Sequence, residues 1–149
     1  TPNVGVTNGS NAVAGNVGET ISSTNVTTGA ATTTNLVAIT SITLTAGDWD
    51  ISAIALLESL GGVFVANSAS VVCISSTSAS TAGTVQTLSY ILFQANAAVT
   101  NSGQFGGIGV IPKYPTSVSS TTTYYLNAST SYTSTAPAWI GGIVARRVR

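Results

Sequence analysis

The chain has 149 residues, 44% of them apolar and only 5% charged, with four acidic side chains, four basic ones and no histidine. That length suits one domain with a sizeable core, and the apolar content excludes a disordered chain. With zero formal net charge there is no field to draw in nucleic acid or an anionic membrane, and we expect neither as a partner. Ser and Thr interleave with Val, Ile and Ala, which suits pleated strands, while strong helix formers such as Met, Lys and Glu are nearly absent. An all-β protein is expected.

Residues 1 to 16, TPNVGVTNGSNAVAGN, show no sustained period and read as a linker or arm before a single domain over 17–149. A first strand is expected from Val17 to Ser23, then a loop through TTGAATTTN. NLVAITSITLT alternates at period two, with Leu36, Ala38, Thr40, Ile42 and Leu44 on one face. TAGD supplies a tight turn with Gly47, and DWDISAIALLE returns as the second arm of a hairpin. On that arm Trp49, Ile51, Ala53 and Ala55 share a face, so Trp49 is the expected core anchor. Asp48 completes the turn, its carboxylate accepting backbone N–H groups, and Asp50 faces solvent. Ile54 and Leu56 fall opposite the Trp49 face, so the strand is apolar on both sides and needs a second cover.

GVFVA and SVVCISS read as two more short strands, and TVQTLSYILFQAN as a buried one. After a loop at AAVTNSGQ, FGGIGVI resumes, and Pro115 in KYPTSVSS suits an edge or a strand start. TTTYYLNASTSY alternates cleanly, and APAWIGGIVARRVR begins its strand after Pro137. About eight to ten short strands punctuated by turns predict an antiparallel β-sandwich of jelly-roll type.

The chemistry of catalysis is thin. Without histidine there is no Ser-His-Asp or Cys-His machinery and no His-containing zinc site. One cysteine and four scattered acids make no cofactor or metal centre, leaving only a carbonyl-rich Ca²⁺ site open. Cys73, alone in SVVCISS, forms no intrachain disulfide and is expected as an inert buried thiol. Asp48 and Asp50, two residues apart, lie ~6–7 Å apart at Cα on a strand, but a glycosidase pair faces itself across a cleft. Both aspartates are therefore read as structural, and Glu58 as a solvated loop charge. Sequons at Asn8, Asn25 and Asn127 are no more than chance supplies in a chain this rich in Asn, Ser and Thr. No stretch approaches the ~18 apolar residues of a membrane helix, so membrane insertion is not expected.

The aromatic residues are the better binding candidates. Tyr114, Tyr124, Tyr125 and Tyr132 gather in the C-terminal third, and Tyr124 and Tyr125, being consecutive, must face opposite ways. Tyr114, Tyr125 and Tyr132 are the candidates for stacking on a sugar ring.

The segments GNVGETISST, ITSITLTAGDWDIS, TTTYYLNASTSYT and the terminal ARRVR resemble a family of small bacteriophage structural proteins and tail-fibre C-terminal domains. In that family a G-E-x-I-S strand, an S-I-x-L-T-A-G-D-W-D-V-S hairpin and an A-R-R-V-R ending recur in this order. The likeness runs over residues 15–149, with a departure between Ala53 and Val110 that leaves the receptor unnamed. It implies a non-enzymatic virion module, the trimeric tip of an adhesion protein, attaching to a bacterial surface receptor such as a polysaccharide. It further implies other virion proteins bound through the N-terminus. As a homotrimer, such a module would cover Ile54 and Leu56 with symmetry mates. Two alternatives stay open: a capsid, head-fibre or decoration protein, and the trimerisation domain of a depolymerising tailspike. Residues 1 to 16 hold no Lys or Arg, which speaks against a genome-packaging arm.

Overall fold

In the computed structural model the described residues are 10–28, 36–59, 64–66, 70–91, 98–99 and 105–149. The alternation of β-branched and small hydroxyl residues builds strands throughout: β1 Thr20–Thr28, β2 Val37–Leu44, β3 Gly47–Glu58, β4 Phe64–Ala66, β5 Ser70–Ser75, β6 Thr84–Ile91, β7 Ala98–Val99, β8 Phe105–Val118, β9 Thr122–Ser129, β10 Tyr132–Ser134 and β11 Ala138–Arg147. Two antiparallel four-stranded sheets, β1-β11-β3-β8 and β2-β9-β5-β6, form the body, and β10-β4-β7 make a small third sheet. Successive long strands switch sheets except at the β5–β6 hairpin, which is the double Greek-key order of a jelly roll. The expected β-sandwich is the observed fold. Among the described residues no helix is long and apolar enough to cross a membrane.

The core lies between the two large sheets. From one side come Trp49, Ile51, Ala55, Leu57, Ile111, Trp139 and Ile143, and from the other Ile39, Ile42, Leu44, Val72, Ile74 and Leu126. The inward set of β3 is the one its alternation predicts, with Trp49 fully buried. At Gly141 an added Cβ would lie 2.7 Å from the Ile54 carbonyl oxygen and 2.9 Å from Leu126 of the opposite sheet. The missing side chain is what lets the layers close there. At the β1–β2 side, the Asn25 amide donates to the Ile39 carbonyl at 2.9 Å and the Ser23 and Thr40 hydroxyls meet at 2.6 Å.

Several local expectations are corrected. The first strand starts at Thr20, not Val17, because residues 13–19 turn: Gly15 and Gly18 have positive φ, and Gly15 N–H donates to the Glu19 carboxylate at 2.8 Å. β2 does not keep one face, since a register shift between Ala38 and Thr40 turns Ile39 into the core beside Ile42 and Leu44. β2 and β3 are not a hairpin: they pair with β9 and β11 in different sheets, so TAG is the corner of an arch. The expected loop at AAVTNSGQ contains the two-residue strand β7. FGGIGVI and KYPTSV form one strand, β8, at a sheet edge, where Pro115 has no ladder bond to lose on its free side.

That arch is filled by Arg147, whose place on the inward parity of β11 leaves it only 5% exposed. Its guanidinium carbon sits 4.2 Å from the Trp49 ring centroid. Nε donates to Glu19 Oε2 at 3.0 Å, Nη1 donates to the Ala46 carbonyl at 2.7 Å, and Nη2 donates to the Thr45 hydroxyl. Trp49 Nε1 donates to the Thr45 carbonyl at 3.0 Å, so ring and cation hold the same corner. The backbones join in, with Arg147 N–H on the Glu19 carbonyl at 2.8 Å and Gly18 N–H on the Arg147 carbonyl at 2.9 Å. Gly47 has φ +144°, and a Cβ there would lie 2.0 Å from Nη1 of Arg147. Only glycine fits.

A second buried polar anchor is Asn127 on β9. Its amide donates to the Thr77 and Ser80 carbonyls at 3.0 and 2.9 Å and accepts from Ala79 N–H at 3.0 Å, pinning the β5–β6 connection. Fully buried, this sequon offers no glycan acceptor.

Two stability predictions follow from these anchors. Arg147→Ala should cost roughly 3–5 kcal/mol, because it strips the partner from a buried carboxylate, while Arg149→Ala should cost under about 1 kcal/mol. Urea melts that rank the two equally would contradict the assignment. Asn127→Ala should cost about 2 kcal/mol and make the Thr77–Ser80 backbone protease-sensitive; unchanged stability and cleavage would remove Asn127 as an anchor.

Candidate functional site

All eight charged side chains lie among the described residues, and their pairing defines the surface. Asp48 binds Arg149 at 3.0 Å and takes the Ser117 hydroxyl; its carboxylate accepts these groups and not the backbone N–H groups expected of a turn aspartate. Asp50 faces outward and binds Lys113 at 2.8 Å. Each aspartate thus has its own cation, and they point from one strand as the alternation predicts. Among the described residues, no three Cys, Asp or Glu gather as a metal site. Cys73 is fully buried, and burial pushes its thiol pKa up.

The tyrosines are not brought together. Tyr114 is exposed on edge strand β8, Tyr125 is half-buried on β9 of the opposite sheet, and Tyr132 on β10 packs partly against the core. Tyr124 and Tyr125 do face opposite ways: Tyr124 is in the core, where burial raises its phenol pKa. Trp49, Asp48 and Gly47 all belong to the corner built around Arg147 and Arg149.

What the structure exposes instead is the outer face of the β1-β11-β3-β8 sheet. Ile54 on β3 is 41% exposed, beside Val110 (57%) and Ile108 (49%) on β8 and Val144 (38%) on β11. Register aligns them: Ile54 is opposite Val110 and Gly142, and Leu56 is opposite Ile108 and Ile140. Gly142, without a side chain, floors a shallow apolar groove between Ile54, Val144 and Thr24. These aliphatic side chains form one apolar patch on the solvent face of that sheet.

At one end of this face stand Arg146, Asp50 and Lys113, and at the other Glu58. Glu58 closes β3 and is no loop residue. Ile54 and Leu56 are where alternation places them, but Ile108, Val110, Val144, Arg146 and Glu58 were missed as members of the same surface. A clue existed in FGGIGVI, where Ile108 and Val110 alternate with glycines and can only be solvent-side residues if the glycines face in.

No protein-family profile and no individual curated protein matches the chain in sequence. Among the solved structures that match the chain are those of infectious bursal disease virus. The VP2 subviral particle matches at 12% identity and TM-score 0.46, over 87% of this chain and 32% of that one. The Gx strain structure matches at 13% identity and TM-score 0.40, over 99% and 37% respectively. This chain thus spans about a third of the length of those chains.

Proposed function

We propose that this chain is a non-enzymatic structural module on the exterior of a virus particle, displayed in several copies and attaching to a bacterial surface receptor of glycan type. The observation that carries the assembly half is the exposed aliphatic face around Ile54, Val110 and Val144 on a sheet that is otherwise complete. A chain with so few charges keeps such a face covered best by copies of a matching surface. The adhesion half is supported by the resemblance of GETIS, TAGDWD and ARRVR to phage tail-fibre tips, and the homotrimer is the form which that resemblance implies. Exposed Tyr114 and half-exposed Tyr125, on opposite sheets, each offer a separate ring on which a sugar can stack.

The second reading is a coat or decoration protein of the particle, favoured by the jelly-roll order, which capsid and lectin domains share. Fluorescently labelled chain applied to a panel of bacterial cells and to a glycan array separates the two. Binding that falls at least several-fold in Tyr114→Ala or Tyr125→Ala supports adhesion, and absence of binding to every cell and glycan favours the coat. In the same experiment surface polysaccharide should keep its length; shortening would make the chain a depolymerase.

A further inference from the structure

We propose that the cleft around Arg146, at one end of the outer face of the β1-β11-β3-β8 sheet, binds a carboxylate-bearing sugar. Arg146 holds the carboxylate, and the hydroxyl-lined walls on either side take the sugar ring. The proposal rests on the glycan reading above and names the class of sugar.

Four neighbouring strands build the cleft. Cross-strand register sets Thr20 of β1, Arg146 of β11, Asp50 of β3 and Pro115 of β8 in one row. The next outward row holds Ser22, Val144 and Ser52. Lys113 comes from the register shift of β8 opposite Ser52 and binds Asp50 at 2.8 Å. Two hollows share Arg146 as a wall, one of about 320 Å³ toward β3 and one of about 520 Å³ toward β1. Both fall within the ~300–1,000 Å³ of small-ligand sites. The outer wall is built before any ligand arrives: the Asn11 side chain donates to the Thr20 carbonyl and accepts from Thr20 N–H, each at 2.7 Å.

Charge selects the ligand. Arg146 faces Asp50 across the strands, and Lys113 is bound to the same carboxylate. One carboxylate cannot neutralise two cations, so the cleft keeps a single positive charge. The neighbouring pairs, Arg147–Glu19 and Arg149–Asp48, are each neutral. A planar guanidinium holds a carboxylate through two parallel N–H bonds. Phosphate sites instead gather converging backbone N–H groups, and here β3 and β11 are paired on both edges within their sheet. A carboxylate is therefore the better fit.

The surroundings point to a sugar. Thr20, Ser22 and Ser52 line the hollows with hydroxyls, the groups that answer sugar hydroxyls, and Val144 offers an aliphatic surface to the C–H face of a ring. Asp50 and Arg146 stand four residues along their strands from Ile54 and Gly142, so the cleft lies at the rim of the aliphatic patch. Polar, ligand-facing groups can stay in solvent there while the patch is covered.

The test is a glycan array probed with the full chain. It carries neutral glycans, uronic-acid oligosaccharides, their carboxyl-reduced counterparts and a glycerol-phosphate polymer. Wild type should bind at least one uronate and lose about ten-fold or more on carboxyl reduction, which keeps the hydroxyls and removes the charge. Arg146→Gln should lose as much for the uronate with its thermal melt unchanged, since the side chain is exposed. Lys113→Gln should weaken the same binding, because Asp50 then competes for Arg146. Equal binding of the reduced probe, or indifference to either substitution, overturns this site and leaves the glycan reading standing. Preference for glycerol phosphate over every uronate overturns the carboxylate assignment. Absence of binding to all probes overturns both the site and the glycan reading.

Discussion

A buried guanidinium against an indole ring holds the end of this sandwich. Arg147 has no place in an apolar interior unless its charge and all its donors are answered, and unanswered burial would cost several kcal/mol. The answers come from three separate parts of the chain: Glu19 before β1, the Thr45–Ala46 corner between β2 and β3, and the Trp49 face at the start of β3. Each of those parts is constrained in return. Residue 47 must be glycine, the segment before β1 must turn to deliver Glu19, and the C-terminal strand must run the full length of its sheet. The quoted stretches GETIS, TAGDWD and ARRVR are one structural corner divided over the sequence.

The same scarcity of charge shapes the outside. With the Glu19, Asp48 and Asp50 carboxylates engaged within the chain, its solvent face depends on hydroxyls, amides and aliphatic side chains. Hydroxyl groups cover most of β1, whose outward residues Thr20, Ser22 and Thr24 are all exposed. On β3 and β8 the middle of that face is aliphatic instead, with Ile54, Ile108 and Val110 exposed beside half-buried Leu56. The core and this apolar patch thus occupy opposite faces of a single sheet, and β3 contributes to both.

How much of this was legible in the sequence depended on range. Strict alternation from Trp49 to Leu57 exposes both faces of β3 without any tertiary information, and adjacent Tyr124 and Tyr125 divide in the same way. The β2 face was misjudged because one extra residue near Ile39 inverts the parity, and nothing local in AITS announces a bulge. The arch was taken for a hairpin because a tight turn looks alike whether its arms pair or part; what parts them here is Arg147, 101 residues beyond Ala46. Arg147 itself had a sequence signature: it shares parity with Trp139, Ile143 and Ala145, so a strand with those residues inward must bury it. Arg146 and Glu58 had none. That they stand at opposite ends of one sheet face emerges only from the pairing of β3 with β11.

Native-state hydrogen exchange tests the role of the Arg147 corner most directly. The amides of Gly18, Arg147 and Val148 donate to the Arg147, Glu19 and Asp48 carbonyls at the chain's last turn of structure, where an ordinary terminus would fray. If the corner closes the sandwich, these amides should exchange only through global unfolding, with the same denaturant dependence as those of Ile51 and Ile143 in the strand centres. Exchange of the three by local opening, while the strand centres stay protected, would show that the sandwich holds together without it.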